Sequence, residues 1–160
     1  MDRLSQAPLS ACFSKAGLSA GTTTTYDTAA TTVYSIRGKM YSVTAQTNTA
    51  TPTTAADTAA AFNALSANQG CVFLFMFNAG GTLGVTQSGI QGLDSSGNFV
   101  VAPNFPDIPE GYTPFGYLVA KAGSTLSGTW TFGTNNLSGV TGMTYAFQDI
   151  ATLPDRPQVS

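Results

Sequence analysis

The sequence predicts an all-β fold, an antiparallel β-sandwich or jelly roll of about eight to ten short strands with an extended N-terminal arm. Residues 71–77 are all apolar, three of them are Phe, and turn residues bound the run on both sides, which is typical of a buried strand. Turn signals separate the other apolar or alternating runs at the spacing of sandwiches and jelly rolls. Strong helix signals are lacking, so strands must supply the core.

Residues 1–20 are predicted to form the arm, and residues 21–160 a single β-sandwich domain. Leu4, Leu9 and Phe13 stand among small and polar residues and cannot build a core alone. We therefore expect the arm to dock on a neighbouring molecule. The N-terminal residues lack the continuous apolar core of a signal peptide, so the chain is expected to assemble from the cytoplasm in which it is made.

A first hairpin is predicted where residues 32–36 and 39–45 meet across Arg37 and Gly38, because the second of these runs alternates cleanly between apolar and polar residues. Residues 46–61 are rich in Thr and Ala and are predicted to form a long loop with little core material. A helical turn is compatible with residues 59–65.

The apolar run at 71–77 should enter a second hairpin through the turn at residues 78–81, with its other strand over residues 82–90. A strand that is apolar on both faces must be covered on both faces. With no strong helix, the expected cover is a second sheet or another subunit, which favours self-association.

The C-terminal half continues the β pattern. Residues 94–98 are predicted to form a turn, residues 99–102 a short strand, and residues 115–120, 126–132 and 140–150 further strands. Residues 103–114 contain four Pro and should form a rigid loop, since each Pro fixes its own φ and restricts the residue before it. Phe105, Ile108 and Tyr112 are the apolar anchors of this loop, and the tail contains Leu153.

Composition limits the classes of function. Hydrophobic residues make up 42% of the chain and charged residues only 9%, against about 25% in a typical soluble domain. A surface of Thr, Ser, Ala, Gly, Asn and Gln costs little to desolvate, which suits packing against copies of the chain or a large partner. A secreted polar β-protein is the plainer alternative. The net charge of −2 argues against nucleic-acid binding, and the short apolar runs argue against a membrane span.

No catalytic, cofactor-binding or metal site is predicted. The chain has no His, and only Asp107 and Glu110 form a close pair of carboxylates, in a loop with nothing to place a sugar. Asp94 begins a calcium-loop-like stretch that lacks the acidic ligand at its end, so a hairpin turn explains it better. Cys12 and Cys71 could form a disulfide, although a buried reduced thiol suits the position of Cys71 better.

The aromatic residues near Trp130 allow two readings. Trp130 and Phe132, with Tyr112, Phe115 and Tyr117 nearby in the sequence, could form a platform for a sugar. At strand spacing, such rings are more often part of the core or of a subunit contact. We therefore expect a core or subunit-contact role for them rather than a sugar platform.

Four stretches carry a resemblance to a known group of proteins: residues 105–109, 114–119, 128–133 and 153–157. Together they resemble small virion structural proteins of tailed bacteriophages, above all head decoration (cement) proteins, over roughly residues 31–160. The resemblance implies a β-sandwich or jelly-roll subunit without catalytic residues or cofactors, which binds the outside of the capsid as an oligomer and stabilises the shell.

The resemblance also implies the partners: the major capsid protein and other copies of the chain, a trimer being favoured over a dimer, with the virion surface as the location. We expect the contacts to come from apolar residues on segments that cannot bury themselves, namely Leu4, Leu9, Phe13, Phe105, Ile108, Tyr112 and Leu153. The alternative is a receptor- or glycan-binding module of a phage tail fibre or spike. A secreted enzyme acting on polysaccharides is a third reading, which the absence of His disfavours.

Overall fold

The computed structural model describes residues 10–159 and confirms the all-β prediction: within that range there are eleven strands and no helix. In chain order the strands are β1 (Ala11–Cys12), β2 (Leu18–Ala20), β3 (Thr25–Thr28), β4 (Thr32–Ile36), β5 (Lys39–Val43), β6 (Gln46–Ala50), β7 (Gln69–Asn78), β8 (Leu83–Gln87), β9 (Gln91–Gly92), β10 (Tyr112–Ala122) and β11 (Met143–Asp149).

The strands form three antiparallel sheets. The central sheet has the order β11-β10-β7-β8, and β9 pairs with the first residues of β7. The two smaller sheets have the orders β1-β4-β5 and β2-β3-β6. Residues 11–20 of the predicted arm therefore contribute β1 and β2 to the smaller sheets, while Leu4 and Leu9 lie outside the described residues.

Both predicted hairpins are present, and each has a turn whose chemistry suits it. Arg37 and Gly38 have φ of 50° and 80°, and two successive residues with positive φ are the mark of the type I′ turn that joins adjacent strands. In the β7–β8 hairpin, the Asn78 side-chain oxygen accepts hydrogen bonds from the backbone N–H groups of Gly80 and Thr82, at 2.9 and 3.0 Å. That side chain closes the turn and fixes the register of β7 against β8.

The first face of the central sheet is the main core. Alternate residues of β7, among them Phe73, Phe75 and Phe77, point to this face and are fully buried. The Phe73 ring stacks on Phe132 with centroids 4.6 Å apart, and Phe77 stacks on Phe115 at 4.3 Å. The two smaller sheets and the loops beside them cover this face with Leu18, Tyr26, Tyr34, Ile36, Phe62, Leu65, Trp130 and Leu137.

The second face of the central sheet is covered in a way that the sequence analysis did not foresee. Val72, Leu74, Met76, Tyr117 and Val119 form a separate buried cluster here, and the cover is neither a second sheet nor another subunit. It consists of the proline-rich segment and the C-terminal tail of the same chain. The residues that supply it include Phe99, Phe105, Tyr112, Leu153 and Val159.

Polar contacts fasten the tail to this face. The Gln158 backbone N–H donates to the Tyr117 hydroxyl at 2.9 Å, and Lys121 Nζ donates to the Val159 carbonyl at 2.8 Å. The tail has no strand partner, so these contacts and the apolar packing of Leu153 hold it.

Four predicted elements differ in the structure. Residues 46–50 of the predicted Thr- and Ala-rich loop form β6, which pairs with β3. Residues 99–102 and 126–132 contribute only the isolated bridges Leu93–Phe99 and Leu65–Trp130. The helical turn at residues 59–65 is absent, and Ala59 has a φ of 56°, which is incompatible with a right-handed helix. Phe62 and Leu65 are buried in the main core, so tertiary packing decides the conformation there.

Candidate interaction surface

Residues 99–111 form an irregular segment that is attached to the protein at several points. The Phe99 ring lies under Lys121 Nζ, 5.2 Å from it, and the Phe105 ring meets the Tyr117 ring edge-on with centroids 5.0 Å apart. The Val100 backbone N–H donates to the Gly92 carbonyl at 3.0 Å. We call these residues the 99–111 segment. The contacts of Phe99, Val100 and Phe105 hold its backbone against the rest of the protein.

The 99–111 segment presents apolar side chains to solvent between its anchors. Val100 is 70% exposed, Val101 is 59% exposed and Ile108 is 39% exposed. These side chains are absent from both buried clusters. Apolar side chains on a stiff support can be buried by a partner at a small cost in conformational entropy, because the backbone is already ordered.

An exposed ion pair ties the same segment to the β4–β5 turn. Arg37 Nη2 contacts Glu110 Oε1, and both side chains are mostly exposed. Such a surface pair adds little stability.

Phe13 marks a second exposed apolar position, at 55% exposure. Its backbone N–H donates to the Val33 carbonyl at 2.7 Å, and the neighbouring Cys12 N–H donates to the Ala151 carbonyl at 2.8 Å. Beside it lies a groove of about 280 Å³, lined by Cys12, Phe13, Ser14, Lys15, Asp149, Ile150 and Ala151. The groove lies where the end of β1 meets the residues at the end of β11 and just after it.

The structure divides the candidate contact residues proposed from sequence into three groups. Phe105, Tyr112 and Leu153 come together on the second face, where they are partly buried against its cluster. Phe13 and Ile108 are exposed. Leu4 and Leu9 lie outside the described residues. Composition alone could not separate the first group from the second.

Sequence reasoning missed three exposed apolar side chains, Met40, Val100 and Val101. The two valines were assigned to a strand, since adjacent β-branched residues favour one. The signal that could have exposed the error is Pro103 two residues later. A strand of this length that ends in a proline has little room to pair.

A polar depression of about 780 Å³ lies near the turn of residues 94–98. Its lining is mainly hydroxyl, amide and backbone groups and includes Asn68, Asp94, Ser95, Ser96, Ser124, Thr125 and Thr144. The Asp94 carboxylate accepts hydrogen bonds from the backbone N–H groups of Asn98 and Ser96, at 2.9 and 2.8 Å. These bonds, that of Asn98 first, lower the pKa of Asp94, and they make the residue a turn former as predicted.

Four of the five aromatic residues proposed as a sugar platform are buried, and the fifth, Tyr112, is partly buried. Trp130, Phe115 and Tyr117 have at most 3% of their surface exposed. The indole N–H of Trp130 donates to the Asn136 carbonyl at 2.9 Å, which satisfies its polar group inside the fold. These rings are core, as the sequence analysis expected of rings at strand spacing.

The cysteines are buried and unlinked. Burial raises the pKa of both thiols, that of Cys71 to about 12. A thiol that stays protonated at neutral pH is a poor nucleophile and a poor ligand. Among residues 10–159, no group of three or more Cys, Asp or Glu side chains is placed to hold a metal ion.

The described part of the chain has no helix that could span a membrane. Comparisons with protein-family models, with curated proteins and with solved structures found no match.

Proposed function

We propose that this protein is a decoration (cement) protein of a tailed bacteriophage head, which binds the outer surface of the capsid as a symmetric oligomer and stabilises the shell. The resemblance of residues 105–109, 114–119, 128–133 and 153–157 to such proteins motivates the proposal. The structural observation that supports it is the 99–111 segment, which holds Val100, Val101 and Ile108 outward on an anchored backbone.

The composition of the surface fits this role. A shell offers the same contact many times, so a modest contact per subunit becomes strong when several subunits are joined. A chain with only 9% charged residues loses little hydration when it is packed against a shell. The oligomer would occupy a symmetry position of the shell, threefold for a trimer or twofold for a dimer.

Co-sedimentation with expanded empty heads of the phage that encodes the chain tests the proposal. The double variant Val100→Ser/Val101→Ser should reduce head occupancy with unchanged thermal stability, since both side chains are exposed in the free protein. Burying a Val side chain contributes about 1.5 kcal/mol, so losing two should weaken binding by about 100-fold.

The matched control is Met40→Ser, which removes another apolar side chain, 54% exposed, from β5. It should leave occupancy unchanged. Native protein that never sediments with heads would refute the proposed function, and equal losses in the control and the double variant would remove the 99–111 segment from it.

The arm needs a narrower test than its predicted bounds suggest. Deleting residues 1–20 would remove β1 and β2, which pair with β4 and β3. Deleting residues 1–9 leaves both strands in place. If Leu4 and Leu9 contact the shell, this shorter deletion should lower occupancy without changing the melting temperature; unchanged occupancy would exclude them.

The alternative, a receptor- or glycan-binding module of a tail fibre or spike, has less support. Four rings of its proposed aromatic platform are core and Tyr112 is partly buried. The polar depression lined by Asp94 has no aromatic ring among its lining residues. Sugar sites commonly use a ring as a stacking surface. Binding of the isolated protein to host cells or to a glycan array, with no binding to heads, would favour this alternative.

A further inference from the structure

Strand β11 forms an open edge of the central sheet. In the described part of the chain it pairs only with β10. The bond from the Ile150 N–H to the Phe115 carbonyl, 3.0 Å, shows which residues face that neighbour. Backbone groups alternate along an antiparallel strand, so those of Thr144, Ala146 and Gln148 point to β10. Those of Met143, Tyr145 and Phe147 point outward. Among the described residues, the N–H groups of Tyr145 and Phe147 have no partner.

Three other edges, those of β8, β6 and β5, are protected. The edge of β8 is covered, since the Ala56 N–H donates to the Val85 carbonyl at 2.9 Å. Strand β6 is interrupted by Asn48, whose φ is 49° and whose N–H is taken by the Asp27 carboxylate. Strand β5 begins with the charged Lys39. Positive φ, charge and covering loops are the usual means by which proteins block pairing at an edge.

Within residues 10–159, the first six residues of β11 have none of these protections. Its seven residues read Met-Thr-Tyr-Ala-Phe-Gln-Asp, with no Pro, no positive φ and no charge before Asp149. Met143, Tyr145 and Phe147 are only partly buried against the main core, and Ala146 is only partly buried on the other face. A seven-residue edge strand whose first six residues are uncharged is a template for another strand.

We propose that β11 pairs antiparallel with β11 of a second copy about a twofold axis, so that two central sheets join into one. The occupant is a second copy because the edge is complementary to itself. With Tyr145 on the axis, Met143 lies opposite Phe147 of the partner subunit. The two Tyr145 residues then exchange their N–H and carbonyl groups, and each Phe147 N–H donates to the Met143 carbonyl of the other copy, while the Met143 N–H keeps its bond to the Val140 carbonyl, 3.1 Å, within its own chain. Strand β1, which reaches the edge at Ala151, bounds the pairing at the other end.

The chemistry of the pairing is favourable. The two Asp149 carboxylates lie at opposite ends of the pairing, so no like charges meet. Tyr145 and the Met143–Phe147 pairs add apolar cross-strand contacts on the face that is already half-covered. The inference gives the self-association in the proposed function a specific surface, and it rests on that part of the proposal; it favours a dimer over the trimer that the resemblance implies.

The first experiment is the native mass by light scattering. The native protein should have twice the chain mass of 16.5 kDa. The double variant Thr144→Lys/Ala146→Lys places like charges directly opposite each other across the pairing and should halve that mass. The control Ser42→Lys/Thr44→Lys adds the same charge at two exposed positions on and next to β5, and should remain a dimer. Circular dichroism checks that each variant is folded.

A second experiment reads the register without relying on disruption. Thr144 of one copy lies opposite Ala146 of the partner subunit, at a pair whose backbones are not hydrogen bonded to each other. Such pairs bring Cβ atoms within disulfide range. Thr144→Cys protein mixed with Ala146→Cys protein should give a disulfide-linked dimer on mild oxidation, in higher yield than either variant alone. The native cysteines are buried and should not interfere.

The outcomes separate this inference from the proposed function. A monomer or a trimer, or a β11 lysine variant that stays as dimeric as its control, overturns the pairing. A mixed cysteine pair that links no better than either single variant overturns the register. A dimer that passes both tests but ignores phage heads leaves the pairing in place and refutes the capsid role. A protein that binds heads but never dimerises overturns the pairing and leaves the capsid role in place.

Discussion

Replacing Phe105 by Ala tests whether the 99–111 segment is a structural cover of the second face. Phe105 packs edge-on against Tyr117, 5.0 Å between ring centroids, and is partly buried over the second cluster. Truncating a fully buried Phe to Ala costs about 3–5 kcal/mol, and the partial exposure of Phe105 reduces this to about 2 kcal/mol. For a chain of this size the melting temperature should fall by about 4–8 °C.

The assay is urea unfolding followed by tryptophan fluorescence, since Trp130 is fully buried in the native state. The matched control is Phe13→Ala, because Phe13 is 55% exposed and lies outside both clusters. Its free energy of unfolding should change by no more than about 0.5 kcal/mol. The reasoning would be refuted if the two variants lost equal stability, or if Phe105→Ala unfolded at the native urea concentration.

Further predictions concern four single positions. Gly133→Ala should cost about 2 kcal/mol or more, because φ is +75° and the new Cβ would lie 2.3 Å from the Pro52 carbonyl oxygen. Gly128→Ala, with φ of +80° and open space around it, should cost only about 1 kcal/mol. Thermal unfolding of the two variants measures this difference. The lowered pKa of Asp94 means that its ionised form stabilises the fold at pH above its ordinary value of 3.8, and that this contribution is lost as the pH falls through the lower folded value. The melting temperatures of native protein and Asp94→Ala should therefore differ at pH 6 and converge at pH 2; a constant difference would contradict this. Cys71, whose pKa is raised from 9.0 to about 12, ionises first in the unfolded chain, so the free energy of unfolding should fall by about 1.4 kcal/mol per pH unit between those values. Cys71→Ala should remove that share of the slope in urea unfolding between pH 8 and pH 11, and an unchanged slope would show that the thiol does not resist ionisation.

The sequence predicted the centre of the fold well, for identifiable reasons. Residues 71–77 are apolar at every position, a pattern that a half-exposed strand cannot carry, and they form the core of β7. The turns at residues 37–38 and 78–81 contain residues that tolerate positive φ or cap a loop with a side chain. The alternation of Met143, Tyr145 and Phe147 placed one face of β11 correctly. In each case the signal is local.

What the sequence could not predict depends on contacts between distant segments. Strands β1 and β2 have two and three residues, too few to show alternation, and only their pairing with β4 and β3 makes them strands. Phe105 and Ile108 are both apolar residues of the same proline-rich loop, yet one faces the sheet and the other is exposed. Nothing in the spacing of the two distinguishes them, because irregular segments have no period.

The cover of the second face has a consequence for how the protein is made. Strand β7 is synthesised well before Leu153 and Val159, which cover its second face. Until they emerge, Val72, Leu74 and Met76 have an unfinished cover on a growing chain. Synthesis proceeds at about 5–20 residues per second, so this apolar strip is open to other nascent chains for several seconds. We infer that the final fold is reached only after residues 153–159 have been synthesised. Between the synthesis of β7 and that of these residues, the uncovered strip exposes the chain to aggregation.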